Sequence, residues 1–204
     1  MALLPEVKKH YGRLKLFING EWVDSKSNTF FEDTNPATGE VIAEVPIATE
    51  AEVDDTVGAA WNAFQKWSTM PFRDRADYIN RLRAKFDERH EELSRILSQD
   101  HGRCVNDSRG TIDRCIENIE SASGTMYGFY KGEHVEQLAT GIDCYMIWEP
   151  VGVFLILTPG NIPMHAWSSF VPYALACGCP VVVAPSWQCP VASEAMFKVS
   201  EEVG

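Results

Sequence analysis

The 204 residues are 45% hydrophobic and 23% charged, with 29 acidic against 18 basic side chains and a formal charge of −11. That field repels phosphate backbones, which excludes nucleic acid as a partner. No apolar run reaches the about 18 residues of a membrane span, and Met1–His10 lacks the basic and apolar regions of a secretory signal, so a cytoplasmic protein with no membrane partner is expected.

Such a length allows one large domain or two small ones around a proper core. Cysteines stand at 104, 115, 144, 177, 179 and 189. Their spacing matches no C-x-x-C pair or zinc pattern, so six reduced, structural thiols and no metal site are expected. Leu16–Val23 reads as a hairpin, because Asn19-Gly20 supplies the two positive-φ residues of a type I′ turn. A second turn at Asn35–Gly39 leads into a short strand around Val41–Val45. Thr49 and Glu52 form a capping box that opens a helix, with Val53, Val57, Ala60 and Phe64 on one face. Trp61, Phe64 and Trp67 are expected to pack in the core.

Arg73 to Gln99 is one long amphipathic pattern, with Ile79, Leu82, Phe86, Leu93, Ile96 and Leu97 inward and Gly102 as its cap. Another helix is predicted over Ser108–Ala122 with Ile112, Ile116 and Ile119 inward. Cys144–Trp148 reads as a strand that Glu149-Pro150 ends. From there the character changes. Val151–Leu157 and Pro180–Pro185 are near-continuous apolar runs, as in parallel strands buried on both faces. Ala166–Cys177 and Val191–Val203 are helical, which makes strand, helix, strand, helix: a βαβα unit of a nucleotide-binding α/β fold.

Ligands of open parallel sheets collect beyond the carboxyl ends of the strands. Thr158-Pro159-Gly160-Asn161-Ile162-Pro163 is such an end. Two prolines stiffen it, so Asn161 either presents its amide donor to a crevice or caps the helix that follows. His165 just beyond either meets a ligand or sits as an ordinary core or surface histidine.

Glu149-Pro150-Val151-Gly152-Val153, Thr158–Pro163, Ala174-Leu175-Ala176-Cys177-Gly178, Pro185-Ser186 and Pro190 together resemble the NAD-dependent aldehyde dehydrogenase superfamily, in its order and spacing. Ile18–Trp22, Asn35–Glu40 and Val45-Pro46 are similar to its N-terminal segment, so the resemblance runs from about Leu16 onward. Arg114–Glu120 and Ala139–Asp143 look most like the methylmalonate-semialdehyde, CoA-acylating branch.

The resemblance implies an α/β fold, part of a Rossmann-type parallel sheet with helices, preceded by β-hairpins. It implies an extension at 1–15, a hairpin and helical part of the cofactor domain at 16–145, and the first βαβα unit at 146–204. A cysteine thiolate adds to an aldehyde, hydride passes to NAD or NADP, and water or coenzyme A resolves the thioester. By position Asn161 is the oxyanion donor, and Thr158, Pro159 and Gly160 line the nicotinamide side of the cleft. Pro185, Ser186 and Trp187 flank the adenosine side.

Three departures accompany it. No G-Q-x-C or E-L-G-G motif occurs, and neither Cys104 nor Cys189 stands in the nucleophile's context. Ala184 and Trp187 replace the lysine and glutamate that hold the ribose hydroxyls, which weakens ordinary NAD binding and leaves CoA open. Gly160 replaces a bulky aromatic and either opens the cleft or loosens the turn. Arg114 either binds a substrate carboxylate as a bidentate fork or pairs on the surface with Glu117 or another acid. Two readings follow: an aldehyde-oxidising portion inactive by itself, its catalytic domain absent, or a non-catalytic binding or scaffolding subunit. Either leaves sheet edges and apolar surface that call for a homo-oligomer or a partner chain.

Overall fold

The computed structural model describes residues 4–204, apart from the side chains of residues 125 and 126; residues 1–3 of the expected extension lie outside the described residues. Strands β1 (Leu16–Ile18) and β2 (Glu21–Val23) pair around Asn19 and Gly20, whose φ values of 54° and 80° are those of the predicted turn. β3 (Phe30–Thr34), not expected from the sequence, pairs antiparallel with β4 (Val41–Pro46). The Asn35 turn joins them: its Oδ1 accepts from Ala37 N at 2.9 Å and its carbonyl from Gly39 N at 2.8 Å. The segment before β1 runs along β4, with Leu14 N donating to Glu44 O at 2.8 Å, and it buries Val7 and Leu14.

Helix α1 (Glu50–Trp67) starts on the predicted capping box. Glu52 accepts from Thr49 N at 2.8 Å and from Lys26 N at 2.7 Å, so the box also anchors the loop before β3. The apolar stripe of α1 departs from expectation. Val53, Val57 and Trp61 are about half exposed, at 49%, 48% and 54%, because no described element covers that face. The predicted long helix is two: α2 (Phe72–Glu88) and α3 (His90–His101), broken at Arg89, whose φ of −100° and ψ of 15° redirect α3 onto α4 and α6. The predicted apolar positions are buried on both.

α4 (Val105–Phe129) extends past both predicted ends and buries Ile112, Ile116 and Ile119. It leads into an exposed hairpin, β5 (Glu133–Ala139) with β6 (Ile142–Met146); β5 was not expected. Then β7 (Phe154–Leu157), α5 (Pro163–Ala176), β8 (Val181–Ala184) and α6 (Pro190–Glu201) complete the predicted βαβα unit, with β7 and β8 parallel. Burial on both strand faces is not observed. Ile156 is buried at 7%, whereas Leu155 and Leu157 stand 65% and 69% exposed. α5 packs against the pair, no described strand extends it beyond β7, and an apolar groove of about 440 Å³ opens between β7 and α5.

One apolar core joins these parts, with Ile42, Phe86, Leu97, Ile112, Met164 and Met196 almost wholly enclosed. Phe86 lies against Trp167 with ring centroids 6.0 Å apart. Arg75, buried at 2%, donates from Nε to Ala176 O at 3.1 Å and from Nη2 to Tyr130 Oη at 2.6 Å, and also to Met70 O. It thereby closes the carboxyl end of α5, where helical carbonyls lack partners. No helix among the described residues is long and apolar enough to cross a membrane.

Two tests follow from these elements. Gly102, at φ 80° beyond α3, leaves a Cβ only 3.0 Å from Pro36 Cβ and Cγ. Gly102→Ala is expected to destabilise by about 1–2 kcal/mol from the left-handed backbone alone, read as a lower midpoint in denaturant. Hydrogen bonds, led by that from Thr49 N, hold Glu52 at about 2 against an ordinary 4.5. A depressed carboxylate contributes stability above its unfolded pKa that is lost as pH falls towards the folded one. Thermal melts are expected to lose stability from about pH 4.5 downward, with a smaller loss in Glu52→Gln.

Candidate functional site

The carboxyl ends of β7 and β8 are held side by side by their register, Leu157 opposite Ala184. Thr158 N donates to Ala184 O at 3.2 Å and prolongs the pairing into the first loop. The Thr158 side chain is buried, and its Oγ1 has no partner among the described residues. Pro159 is exposed and Gly160 half-buried, and Asn161 is exposed.

The helix that follows begins at Ile162 as N-cap, with no side-chain cap bond. Asn161 therefore does not cap α5 with its side chain. Its main chain is held instead. The Asn161 carbonyl accepts from Arg103 Nη2 at 2.6 Å and meets His101 Nε2 at 3.0 Å. Arg103 Nη1 donates to Thr111 Oγ1 on α4 at 2.8 Å, and the Arg103 carbonyl accepts from Ser98 Oγ at 2.7 Å. Burial first, then the adjacent Arg103 cation, lowers the pKa of His101 below its ordinary 6.5. The ring is neutral at neutral pH.

The space beside Gly160 is filled rather than open. A Cβ there would fall 2.2 Å from Gln188 Oε1, so the Gln188 side chain occupies that space. The two loops lock further where Cys189 Sγ donates to Gly160 O at 3.3 Å. In the second loop Pro185 and Trp187 are exposed, and half-buried Ser186 receives Gln188 N on its Oγ at 3.3 Å. Trp187 stands 68% exposed, edge-on to Phe31 with centroids 6.2 Å apart. It does not plug the cleft.

Beneath this loop Asp33 and Asp100 are buried at 5% and 1%. Burial raises the pKa of both, and for Asp100 the Asp33 charge adds to it. Asp100 Oδ2 accepts from Ala192 N, in the first turn of α6, at 2.6 Å. Among the described residues Asp100 Oδ1 and Asp33 Oδ2 have no partner.

Arg114 is exposed on α4, without the expected ion pair to Glu117 among the described residues. It lies one helical turn from both Thr111, which receives Arg103, and Asn118, whose Nδ2 donates to Ser168 and Ser169 Oγ at 3.1 and 3.2 Å. Neighbours at that spacing share a face of the helix. His165 is half-buried; its carbonyl accepts from Ser168 and Ser169 Oγ, while its Nδ1 has no partner among the described residues.

None of the six cysteines is disulfide-bonded. Burial pushes Cys189 up to about 12, with the Asp100 and Asp33 charges adding to it, and Cys115 also to about 12. Neither supplies a thiolate near neutral pH. No cluster of three or more metal-ligating side chains occurs among the described residues.

Sequence reasoning missed His101, Arg103 and Gln188. The signal for the first two was the Asp-His-Gly-Arg sequence at a helix end, where a left-handed glycine turns the flanking side chains outward. Gln188 gave no signal, because the space it fills exists only through Gly160 in another loop.

Comparison with known proteins agrees with this architecture. The model of the aldehyde dehydrogenase family matches residues 22–204. The malonate-semialdehyde dehydrogenase of Listeria innocua is 35% identical over 192 residues, 94% of this chain and 39% of its own. Malonate-semialdehyde dehydrogenase 1 of Geobacillus thermodenitrificans is 37% identical over 191 residues, again 94% and 39%. Among solved structures, a methylmalonate-semialdehyde dehydrogenase assignment from Sinorhizobium meliloti, complexed with NAD, superposes with a TM-score of 0.90. It is 31% identical and covers 97% of this chain and 40% of that one. Aldehyde dehydrogenase C of Pseudomonas syringae, a C291A mutant with NAD+ and octanal, gives a TM-score of 0.86 at 30% identity, covering 94% and 38%. The chain thus spans about two fifths of the length of the relatives it matches. With the matched segment, the parallel strand pair and the turns at its carboxyl ends all in agreement, the chain belongs to the aldehyde dehydrogenase family.

Proposed function

We propose that this chain supplies the oxyanion donor and part of the dinucleotide cleft of a cytoplasmic, aldehyde-oxidising oxidoreductase. One observation carries the reading: the Asn161 carbonyl is pinned from behind while its side chain is exposed at the end of a parallel strand. An amide donor fixed there faces the oxygen that turns anionic when a thiolate adds to an aldehyde carbon, and one such donor contributes about 2.7–4 kcal/mol. Neither the G-Q-x-C cysteine nor the E-L-G-G glutamate is among the 204 residues. The thiolate and the general base therefore come from sequence beyond them, in cis or from another chain. The relatives' names favour a semialdehyde that carries a carboxylate, which the exposed Arg114 guanidinium on α4 would grip as a fork.

The residues present fit a nicotinamide nucleotide in part. The orphaned Thr158 hydroxyl and the Gly160 backbone suit the nicotinamide end, and the exposed Trp187 indole offers adenine a stacking face. Ala184 gives the ribose no donor. When bound, NAD or NADP supplies the hydride acceptor. Coenzyme A remains the alternative occupant, and with it acyl transfer in place of hydrolysis. A second reading, a scaffolding subunit that pairs with another copy or a partner chain, draws on the uncovered apolar residues of α1 and β7.

Two measurements test this. Calorimetric titration of the chain with NAD+ is expected to show weak binding, and Ala184→Lys with Trp187→Glu to tighten it about tenfold or more, since hydrogen bonds to charged groups contribute about 1.5–3 kcal/mol. Unchanged affinity in the double variant would place the ribose elsewhere. The chain fused to the remaining sequence of the Listeria relative is expected to oxidise malonate semialdehyde, with Asn161→Ala lowering kcat about 10²–10³-fold. Equal kcat in that variant removes the oxyanion role, and an inactive but folded fusion favours the scaffolding reading.

A further inference from the structure

The turn that carries Asn161 has no side-chain cap, and its own loop holds it only through contacts with the second loop. What fixes it on the other side comes from the end of α3. Arg103 Nη2 donates to the Asn161 carbonyl at 2.6 Å, and His101 Nε2 lies 3.0 Å from the same oxygen. The guanidinium faces both ring nitrogens, with Arg103 Nε 3.5 Å from His101 Nδ1 and Arg103 Nη2 3.2 Å from His101 Nε2; in the Nε2–H tautomer the ring donates to the Asn161 carbonyl. Both lone pairs of one carbonyl oxygen thus receive donors, one of them cationic, and such charge-assisted bonds are about twice as strong as neutral ones.

The clamp is itself braced. Thr111 Oγ1 accepts from Arg103 Nη1 at 2.8 Å and donates to Asp107 O at 3.0 Å, while Ser98 Oγ fixes the Arg103 carbonyl. No carboxylate lies within ion-pair distance of Arg103 among the described residues, so its charge is directed at the turn rather than neutralised. We propose that Arg103 and His101 are positioning residues that fix the Asn161 turn through its main-chain carbonyl and so aim the side-chain amide into the cleft. The inference rests on the reading of Asn161 as oxyanion donor.

The geometry gives the clamp a pH dependence. Arg103 is the charged group that faces His101; its other polar neighbours are main-chain groups. Protonation places an N–H on Nδ1 opposite the Arg103 Nε–H, donor against donor, and sets a second cation beside the first. The clamp is complete with the ring neutral and loosens as the ring takes up a proton.

Labelling the intact chain with carbonyl-13C asparagine and 15N isoleucine tests this directly. Only two Asn-Ile peptides occur, Asn161-Ile162 and Asn118-Ile119, so a carbonyl–amide correlation spectrum holds one reporter and one internal control. Arg103→Ala is expected to move the Asn161 carbonyl upfield and leave that of Asn118 in place, with Arg103→Lys in between. In wild type the Asn161 carbonyl is expected to titrate below pH 6.5, the ordinary imidazole value, and in His101→Gln to lose that titration. If Arg103→Ala does not fold, the lysine and glutamine variants carry the test. Thr49→Ala, which removes the distant α1 cap, controls for general loosening. An Asn161 carbonyl unmoved in the Arg103 variants, or moved as far in Thr49→Ala, overturns the proposal. Because the spectrum reads the carbonyl and not turnover, that failure is distinct from a failure of the Asn161→Ala kinetics.

Discussion

The left-handed turn at Gly102 is the constraint on which the site depends. It ends α3 with its N–H bonded to Ser98 O at 3.0 Å, and it fans the neighbouring side chains in different directions. On one side of it Gln99 meets Tyr11 and the Lys8 carbonyl, while Asp100 reaches the first turn of α6. On the other, Arg103 and His101 converge on the turn that opens α5. One five-residue stretch thus fixes the N-terminal segment and both helices of the βαβα unit. Proximity to Pro36 leaves no room there for a side chain, so the turn is set both by backbone conformation and by packing.

Buried polar groups divide into two kinds. Arg75 and Glu52 are saturated with partners and act as structural ties. Thr158 Oγ1, His165 Nδ1 and the Asp33–Asp100 pair retain unpartnered atoms. Unsatisfied buried atoms cost free energy; Thr158 Oγ1 and His165 Nδ1 flank the first loop beyond the parallel strands, while, among the described residues, Ser108 Oγ on α4 and Trp167 Nε1 on α5 are unpartnered in the interior. The same burial that keeps Cys189 a thiol lets it serve as a small hydrophobe with one weak donor, closing one loop on the other.

Local chemistry was legible where it is decided within a few residues. The Asn19-Gly20 turn, the Thr49–Glu52 box, the Gly102 cap and the βαβα order could each be read directly. What escaped was set by distant neighbours. β3 lacks a clean alternation and exists through its pairing with β4; Arg89 breaks a pattern that periodicity alone would continue. The apolar runs of α1 and β7 were assigned to the core because hydrophobicity marks surface that needs covering, and it does not name what covers it. Asn161 was recognised as a candidate from its flanking prolines, but the hands that hold it lie some sixty residues away (its partner contacts span 58 and 60 positions) and carry no periodic signature.

The interlock of Gly160 with Gln188 reaches past this one chain. Two loops, each drawn from the end of a different strand, share a single volume that only one side chain can fill. A side chain at 160 would meet the Cβ of Gln188 at 2.8 Å as well as its amide, so the backbone of the second loop would have to give way with it. Grafting a different cleft onto this scaffold therefore means refitting both loops as one piece.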